Sequence, residues 1–318
     1  MASGATVADV GEFGLIAELS ARFEQGPAVY VGPGDDGAVL RAPKGHVVVS
    51  TDLLVENRHF RRDWATAGDV GHRAAAQNLA DIAAMGGRTT GLTLGLVLPA
   101  DLPAQWVLDL AEGIAAEAAS VGASVIGGDI TRGSEIVIAV TVLGQCDLAP
   151  VLRSGARAGD VLAIAGRQGW AAAGLAVLGR GFRSPRAVVV AHQRPEPPYA
   201  AGPLAAEAGA TSMIDVSDGL VADVGHLAVA SGVAIDIFSS AFTLDEPLTA
   251  VGAALGVDPM QFVLGGGEDH PLVATFPADV ALPDGFRAIG AVTEPAEGSS
   301  QVTVDGAEFH GEPGWTHF

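Results

Sequence analysis

The chain has 318 residues, 37 of them acidic and 17 basic, and its formal net charge of −20 argues against nucleic acid as a partner, since phosphate backbones select for Lys and Arg. Hydrophobic residues make up 49% and aromatics only 5%, so Ala, Val, Leu and Ile must build the core, as in helix-covered sheets. No stretch approaches the roughly 18 uninterrupted apolar residues of a membrane span, and Cys146, the lone cysteine, excludes both an intrachain disulfide and a cysteine zinc cluster.

Strands and helices alternate along the chain. Residues 46–50 (HVVVS) form a β-branched run that predicts a buried strand. Residues 69–85 read as a helix with Val70, Ala74, Asn78 or Leu79, and Ile82 on one side. Residues 91–98 (GLTLGLVL) alternate strictly, so Leu92, Leu94, Leu96 and Leu98 share one strand face. An Ala-rich helix over 102–121 follows, then a short strand at 124–126, a turn at Gly127-Gly128-Asp129, and a strand over 135–143. Glycines and Pro150 in 145–160 mark the domain boundary. Beyond it lie a strand at 161–165, a helix at 170–178 and a proline-rich loop entering a helix at 201–208. A strand at 213–216 leads into a helix over 218–230 that Asp218 could begin. Strands at 233–238, 271–276, 286–292 and 301–304 complete a second α/β unit. The expected organisation is an N-terminal domain over 1–148 and a C-terminal domain over 149–318.

Several short segments end an apolar run in an acid with small or hydroxyl neighbours: VVSTD (48–52), NLAD (78–81), VIGGD (125–129), IDVSD (214–218) and LGGGED (264–269). An acidic turn with Asp35 and Asp36 precedes them. Paired carboxylates at about 4 Å repel by roughly 1–4 kcal/mol, so such a cluster calls for cations or shifted pKa values. Hard divalent ions held by Asp beside glycine turns are the usual apparatus of phosphate chemistry. Each segment also has a plainer reading. Ser50-Thr51-Asp52 suits Mg²⁺ as well as an N-cap. Gly127-Gly128-Asp129 can bring backbone N–H groups to a phosphate, with Arg132 as counter-charge, or simply turn the chain. Asp218 could cap a helix, which leaves Asp215 unexplained. Three consecutive glycines before Glu268 and Asp269 suggest close approach to a ligand rather than a solvated loop.

No GxxxxGK[ST] occurs, so this is not a P-loop protein. The kinase catalytic-loop HRD and the DFG motif are absent, no dinucleotide fingerprint is found, and the eight histidines show no HExxH spacing. Lys44 is the only lysine, so a phosphate must meet arginine, a metal or that residue. The N-terminal residues do not read as a signal peptide, and a reducing cytosol is the expected compartment.

In this order, the segments resemble those of thiamine-monophosphate kinases, within the wider ATP-binding group related to aminoimidazole ribonucleotide synthetase. The resemblance spans nearly the whole chain: GEFGLI at 11–16, GDDGAVL, STDLLVENRHF, NLADIAAMGG, GGDITRG, LRSGARAGD, DVSDGL, GGED and the terminal GWTHF. It implies a two-domain α/β fold whose N-terminal mixed sheets pair in a homodimer, with the C-terminal domain completing the active site. By resemblance, Asp36, Ser50, Thr51, Asp52, Asp81, Asp129, Asp215 and Asp218 bind Mg²⁺. Gly128, Asp129, Arg153 and Ser217 contact ATP, and His59, Glu268 and Trp315 contact thiamine monophosphate. The chain departs from the family after GGED, where Tyr-Glu-Leu is usual and His270-Pro271-Leu272 stands here. Pro271 removes a backbone donor; His270 fits either a substitute ring or an ordinary loop role.

The implied reaction is direct in-line transfer of the γ-phosphate of ATP to thiamine monophosphate. The thiazolium is cationic, which suits Glu268 and the aromatic face of Trp315. The acceptor phosphate, with a second pKa near 6, is largely ionised at pH 7 and needs no general base. The competing readings are a related synthetase that uses ATP to activate an amide or other oxygen, and a catalytically silent nucleotide-binding protein. The selenophosphate-forming relative does not fit, because the N-terminal segment carries no Cys or Lys, and the aminoimidazole-forming relative is not expected to carry NRHF.

Overall fold

The computed structural model describes residues 6–10, 12–31, 39–43, 45–295 and 301–314. The chain divides into two compact units, Met1–Ile82 with Arg88–Gln145, and Ala83–Gly87 with Cys146–Phe318. Among the described residues no helix is long and apolar enough to cross a membrane.

The first unit contains α1 (Val7–Val10), α2 (Glu12–Ser20), β1 (Val29–Val31), β2 (Val39–Leu40), β3 (Val48–Val55), α3 (Ala67–Ala84), β4 (Arg88–Leu98), α4 (Ala104–Ser120), β5 (Ser124–Arg132) and β6 (Val137–Gln145). Strands β1 and β2 form a small antiparallel pair. The main sheet has the order β3-β6-β4-β5 and is mixed, since β4 runs parallel to β5 and antiparallel to β6. Period-2 alternation gives it two faces. On the inner face, Leu92, Leu94, Leu96 and Leu98 are at most 5% exposed, as are Ile138, Val140 and Val142. Each such side chain contributes about 1.5–3 kcal/mol by leaving water. Helix α3 covers this face, and a Cβ on Gly144 of β6 would meet Ile82 of α3 at 2.4 Å. The outer face carries Val49, Thr51 and Leu53, with Val49 and Leu53 59% and 56% exposed.

Two strands run further than their sequences predict. The first, expected over 46–50, is β3 and continues to Val55 because Val48 to Val55 pair residue by residue with β6. Ser50, Thr51 and Asp52 therefore sit mid-strand, and alternation puts Thr51 on the opposite face from its two neighbours. The turn expected at Gly127-Gly128-Asp129 is also strand. Those residues pair with Thr93, Leu94 and Gly95, and the ladder outweighs the poor strand propensity of glycine. Leu92 faces Val125 while Thr93 faces Gly127, so Ile126 is an extra, bulged residue. One register row accordingly runs Asp52, Val140, Leu94, Gly128 across the sheet, and the next runs Leu53, Ala139, Gly95, Asp129.

The second unit comprises β7 (Val161–Ala165), α5 (Trp170–Gly179), α6 (Arg186–Gln193), α7 (Ala201–Glu207), β8 (Ser212–Asp215), α8 (Leu220–Ser231), β9 (Ala234–Ile237), α9 (Glu246–Leu255), α10 (Met260–Leu264), β10 (Leu272–Phe276), β11 (Phe286–Thr293), β12 (Val302–Val304) and β13 (Ala307–Glu308). Its sheet has the order β13-β12-β9-β11-β7-β10-β8 and is antiparallel except for β12 beside β9. All five residues of β10 are buried, which marks it as a central strand. Phe276 packs edge-on to Phe286 with ring centroids 5.4 Å apart, in a core otherwise rich in alanine.

Candidate functional site: two clusters of acidic side chains

In the first unit, the inner face of β3 meets α3 through polar groups. Ser50 Oγ donates to Asp81 Oδ2 at 2.6 Å, and the Asp52 N–H donates to Asn78 Oδ1 at 3.1 Å. Asn78 is 1% exposed and is itself fixed by donating from Nδ2 to the Ala74 carbonyl. Ser50 and Asp81 thus bring two hard oxygen donors together, and Asp52 follows on the same strand face. The Thr51 hydroxyl does not join them. On the outer face it donates to the Val140 carbonyl at 3.0 Å and accepts from the Thr141 hydroxyl, because the pleat of the strand turns it away from Ser50.

Asp129 is exposed on β5, at the other edge of the sheet and on the outer-face row. Within this unit it is not brought together with Ser50, Asp52 and Asp81. Its Oδ1 accepts the N–H of Ile130 at 2.9 Å. Gly128 has a reason other than a phosphate, because a Cβ there would lie 2.2 Å from the Leu94 carbonyl oxygen. Gly127 has open space instead. His59 follows β3 in a turn, and its Nδ1 accepts the Val55 N–H at 3.0 Å, which leaves the proton of the neutral ring on Nε2. Asp36 and Trp315, expected at the metal and substrate sites, lie outside the described residues.

In the second unit, the loop after β8 and the glycine-rich loop before β10 lock together. The Glu268 N–H donates to the Ser217 carbonyl at 3.0 Å, and the Val216 N–H donates to the Pro271 carbonyl at 2.9 Å. Gly267 serves this contact, since a Cβ there would fall 2.0 Å from the Ser217 oxygen, while Gly266 packs on α10, where a Cβ would fall 2.1 Å from the Phe262 oxygen. The close approach expected of them is to the protein's own backbone. Glu268 and His270 both adopt positive φ, 69° and 53°, which is uncommon for non-glycine residues.

Asp215 ends β8, is 5% exposed and faces His270, whose Nδ1 lies 3.0 Å from its Oδ2. Helix α8 begins at Leu220, not at Asp218. The carboxylate that serves the turn is Asp223, a residue the sequence reading missed. Its Oδ2 accepts the N–H groups of Asp218 and Gly219, each at 3.0 Å. Asp223 is 3% exposed. Burial foremost, then the negative charges of Asp215 and Asp218, push its pKa up to about 7 against the pull of those backbone donors. A first-turn acid four residues past the glycine that follows the DVSD motif was the available signal. Arg153 is exposed, and its carbonyl accepts the Ser231 hydroxyl, which also takes the N–H groups of Gly155 and Ala156.

Asp269 was likewise unassigned in the sequence. It is 3% exposed, accepts the Ala171 N–H at the start of α5 at 3.0 Å, and lies 3.7 Å from Arg167 Nε. Arg167 in turn covers the Trp170 ring at 5.0 Å. Burial, the largest influence, raises the Asp269 pKa to about 6; the Ala171 hydrogen bond and the Arg167 charge hold it from going further.

Among the described residues no group of three or more His, Cys, Asp or Glu side chains is gathered closely enough to hold a metal by itself. The oxygen chemistry nevertheless suits a hard cation. Ser50 and Asp81 touch, and Asp215, Asp218 and Asp223 crowd one turn with negative charge that a cation would relieve. These are the ligand types Mg²⁺ takes alongside water and phosphate oxygens, so a metal need not find all its donors in protein.

Residues 34–146 match the family model described as AIR synthase related protein, N-terminal domain. The chain is 47% identical over 315 residues to the thiamine-monophosphate kinase of Mycobacterium tuberculosis H37Rv, covering 98% of this chain and 93% of the relative. The crystal structure of thiamine-monophosphate kinase from Stenotrophomonas maltophilia K279a superposes with a TM-score of 0.79 at 30% identity, over 92% of this chain and 96% of that one. A structure described as AaThiL complexed with AMPPCP and TMP superposes with a TM-score of 0.77 at 31% identity, covering all of both chains. The chain belongs to the thiamine-monophosphate kinase family, a family of enzymes.

Proposed function

We propose that this protein transfers the γ-phosphate of ATP to thiamine monophosphate, giving thiamine diphosphate and ADP. The observation that carries the reading is the 47% identity, across nearly the full length of both chains, to a thiamine-monophosphate kinase. The related structure described as holding AMPPCP and TMP supports an ATP-like nucleotide and thiamine monophosphate as the two ligands.

The reaction joins two anions, so charge has to be neutralised between them. Mg²⁺, when bound, would supply that neutralisation and polarise the transferred group. Asp36, Ser50, Thr51, Asp52, Asp81, Asp129, Asp215 and Asp218 would hold several such ions. Gly128, Asp129, Arg153 and Ser217 would contact ATP. His59, Glu268 and Trp315 would contact thiamine monophosphate, Glu268 as counter-charge to the thiazolium. No side chain is required as general base, because the acceptor phosphate is largely ionised at neutral pH. Positioning of the acceptor oxygen in line with the γ-phosphorus is then the protein's main task. The first unit would bind nucleotide and metal and the second would bring the remaining ligands to the reaction.

The same reading includes a homodimer formed through the first unit. Its support is the outer sheet face, where Val49 and Leu53 stand 59% and 56% exposed beside Ala139 and Leu143. Asp129 lies on that face too, so its role as a ligand is tied to what covers the face. The deciding assay mixes the protein with ATP, Mg²⁺ and thiamine monophosphate and follows thiamine diphosphate by chromatography. Equimolar thiamine diphosphate and ADP are expected; ATP consumption without thiamine diphosphate, or no turnover, would overturn the proposal.

A further inference from the structure

We infer that His270 is a positioning residue for Asp215: it fixes one carboxylate oxygen by a hydrogen bond and so leaves the other as a preset donor for a divalent cation. The inference deepens the proposed function and rests on its reading of Asp215 as a metal ligand. An ionised carboxylate can only accept, so the 3.0 Å contact between His270 Nδ1 and Asp215 Oδ2 is an N–H donating to oxygen, and the Nδ1-protonated tautomer is set. Both residues are buried, 4% and 5% exposed. Asp215 Oδ1 takes no hydrogen bond from any described residue.

The backbone holds this pair as a clamp would. On one side of His270, the Glu268 N–H donates to Ser217; on the other, Pro271 accepts from Val216. Leu272 then pairs with Asp215 itself in the sheet. His270 reaches the carboxylate at a φ of 53°, a conformation disfavoured for a ring-bearing side chain and kept only where the surroundings impose it. Pro271 contributes by having no N–H to compete for the same carboxylate. Carboxylates that bind metals are commonly oriented by such outer hydrogen bonds, and loss of one typically lowers metal affinity by about 10–100-fold.

The test compares His270→Phe, which keeps a ring and removes the donor, with His270→Asn, which keeps a donor and tolerates the backbone conformation. Mn²⁺ binding in the presence of ADP is titrated by the EPR signal of the free ion, and thermal unfolding is recorded in EDTA. His270→Phe is expected to weaken the tightest affected Mn²⁺ site about 10–100-fold, and to raise the half-saturating Mg²⁺ concentration in the kinase assay without moving KM for thiamine monophosphate. His270→Asn is expected to recover affinity to within about 3-fold of the parent, on the same outer-shell argument. Should His270→Phe fail to fold, His270→Gly, which tolerates the positive φ and also removes the donor, is titrated in its place, with the same loss expected and unchanged affinity overturning the role. Asp215→Asn is measured alongside. If Asp215→Asn loses Mn²⁺ and folded His270→Phe does not, the positioning role is overturned and the metal assignment stands. If Asp215→Asn also keeps full Mn²⁺ affinity, the assignment of Asp215 as a ligand has failed, and the inference with it.

Discussion

The Ser50 hydroxyl donates to Asp81 Oδ2 across 2.6 Å, tying the middle of an edge strand to a helix turn 31 residues away. The bond places two proposed ion ligands in one spot before any ion arrives. Ser50→Ala should lower stability in EDTA by about 1 kcal/mol, as expected for loss of a partly exposed hydrogen bond. It should raise the Mg²⁺ requirement by about 10-fold or more. Chemical denaturation in EDTA and a Mg²⁺ titration of turnover check the two parts. An unchanged Mg²⁺ requirement would remove Ser50 from the ligand set.

Asp269 gives a pH dependence with a definite sign. Its folded pKa, about 6, lies above the ordinary carboxylate value of 3.8. The folded protein therefore binds this proton more tightly than the unfolded chain does. The contribution is fully present below about pH 4 and is lost as the pH rises through about 6. About two pKa units correspond to a ceiling near 3 kcal/mol. Asp269→Asn keeps an acceptor for the Ala171 N–H and cannot ionise. Its stability relative to the parent should rise between pH 4 and pH 7, read from urea unfolding at each pH. A constant difference across that range would show that Asp269 stays ionised throughout.

Adjacent glycines in β5 should respond oppositely to a methyl group. Gly127→Ala meets open space, whereas Gly128→Ala would drive a Cβ to 2.2 Å from the Leu94 carbonyl. The first should change stability by less than about 0.5 kcal/mol, and the second should cost about 1–3 kcal/mol through overpacking. Thermal melts of the two variants in EDTA separate steric need from ligand contact. Equal melting temperatures would mean that β5 shifts freely against β4.

Glu268→Gln should raise KM for thiamine monophosphate about 10-fold or more while KM for ATP stays within about 2-fold, since a buried or half-buried charge pair is worth a few kcal/mol against the cation. Equal effects on both substrates would move the thiazolium pocket elsewhere.

Leu53→Asp places a charge on the exposed outer face of β3 without touching the inner cluster. Light scattering behind a sizing column should report a monomer for this variant and a dimer for the parent. A dimer in both would show that this face is not the one that pairs.

Regular periodicity made much of this fold legible. The alternating leucines of β4, the strand at Val161–Ala165 and the alanine-rich α4 follow directly from hydrophobic spacing. Helices α6, α9 and α10 were not expected; in elements of 5 to 10 residues long-range packing decides the conformation more than local propensity. The acidic residues were visible as a set, but their geometry was not. Asp52 and Asp129 were expected at strand ends and lie within strands. Asp223 and Asp269 looked like ordinary acids until burial and backbone donors distinguished them. The glycines at 265–267 read as room for a ligand, whereas the residue that Gly267 makes room for, Ser217, lies about 50 positions away along the chain. No local reading of sequence can recover such a partner.

The bulge at Ile126 settles which side of the sheet owns Asp129. With regular pairing from Val125 onward, Leu96 would face Asp129, and the carboxylate would point toward the helices. Taking that single isoleucine into the ladder instead of leaving it bulged would keep the GGD motif intact to the eye and turn it inside out in space. The reading frame of a strand, like that of a gene, can be shifted by one unit with every downstream letter preserved and its meaning reversed.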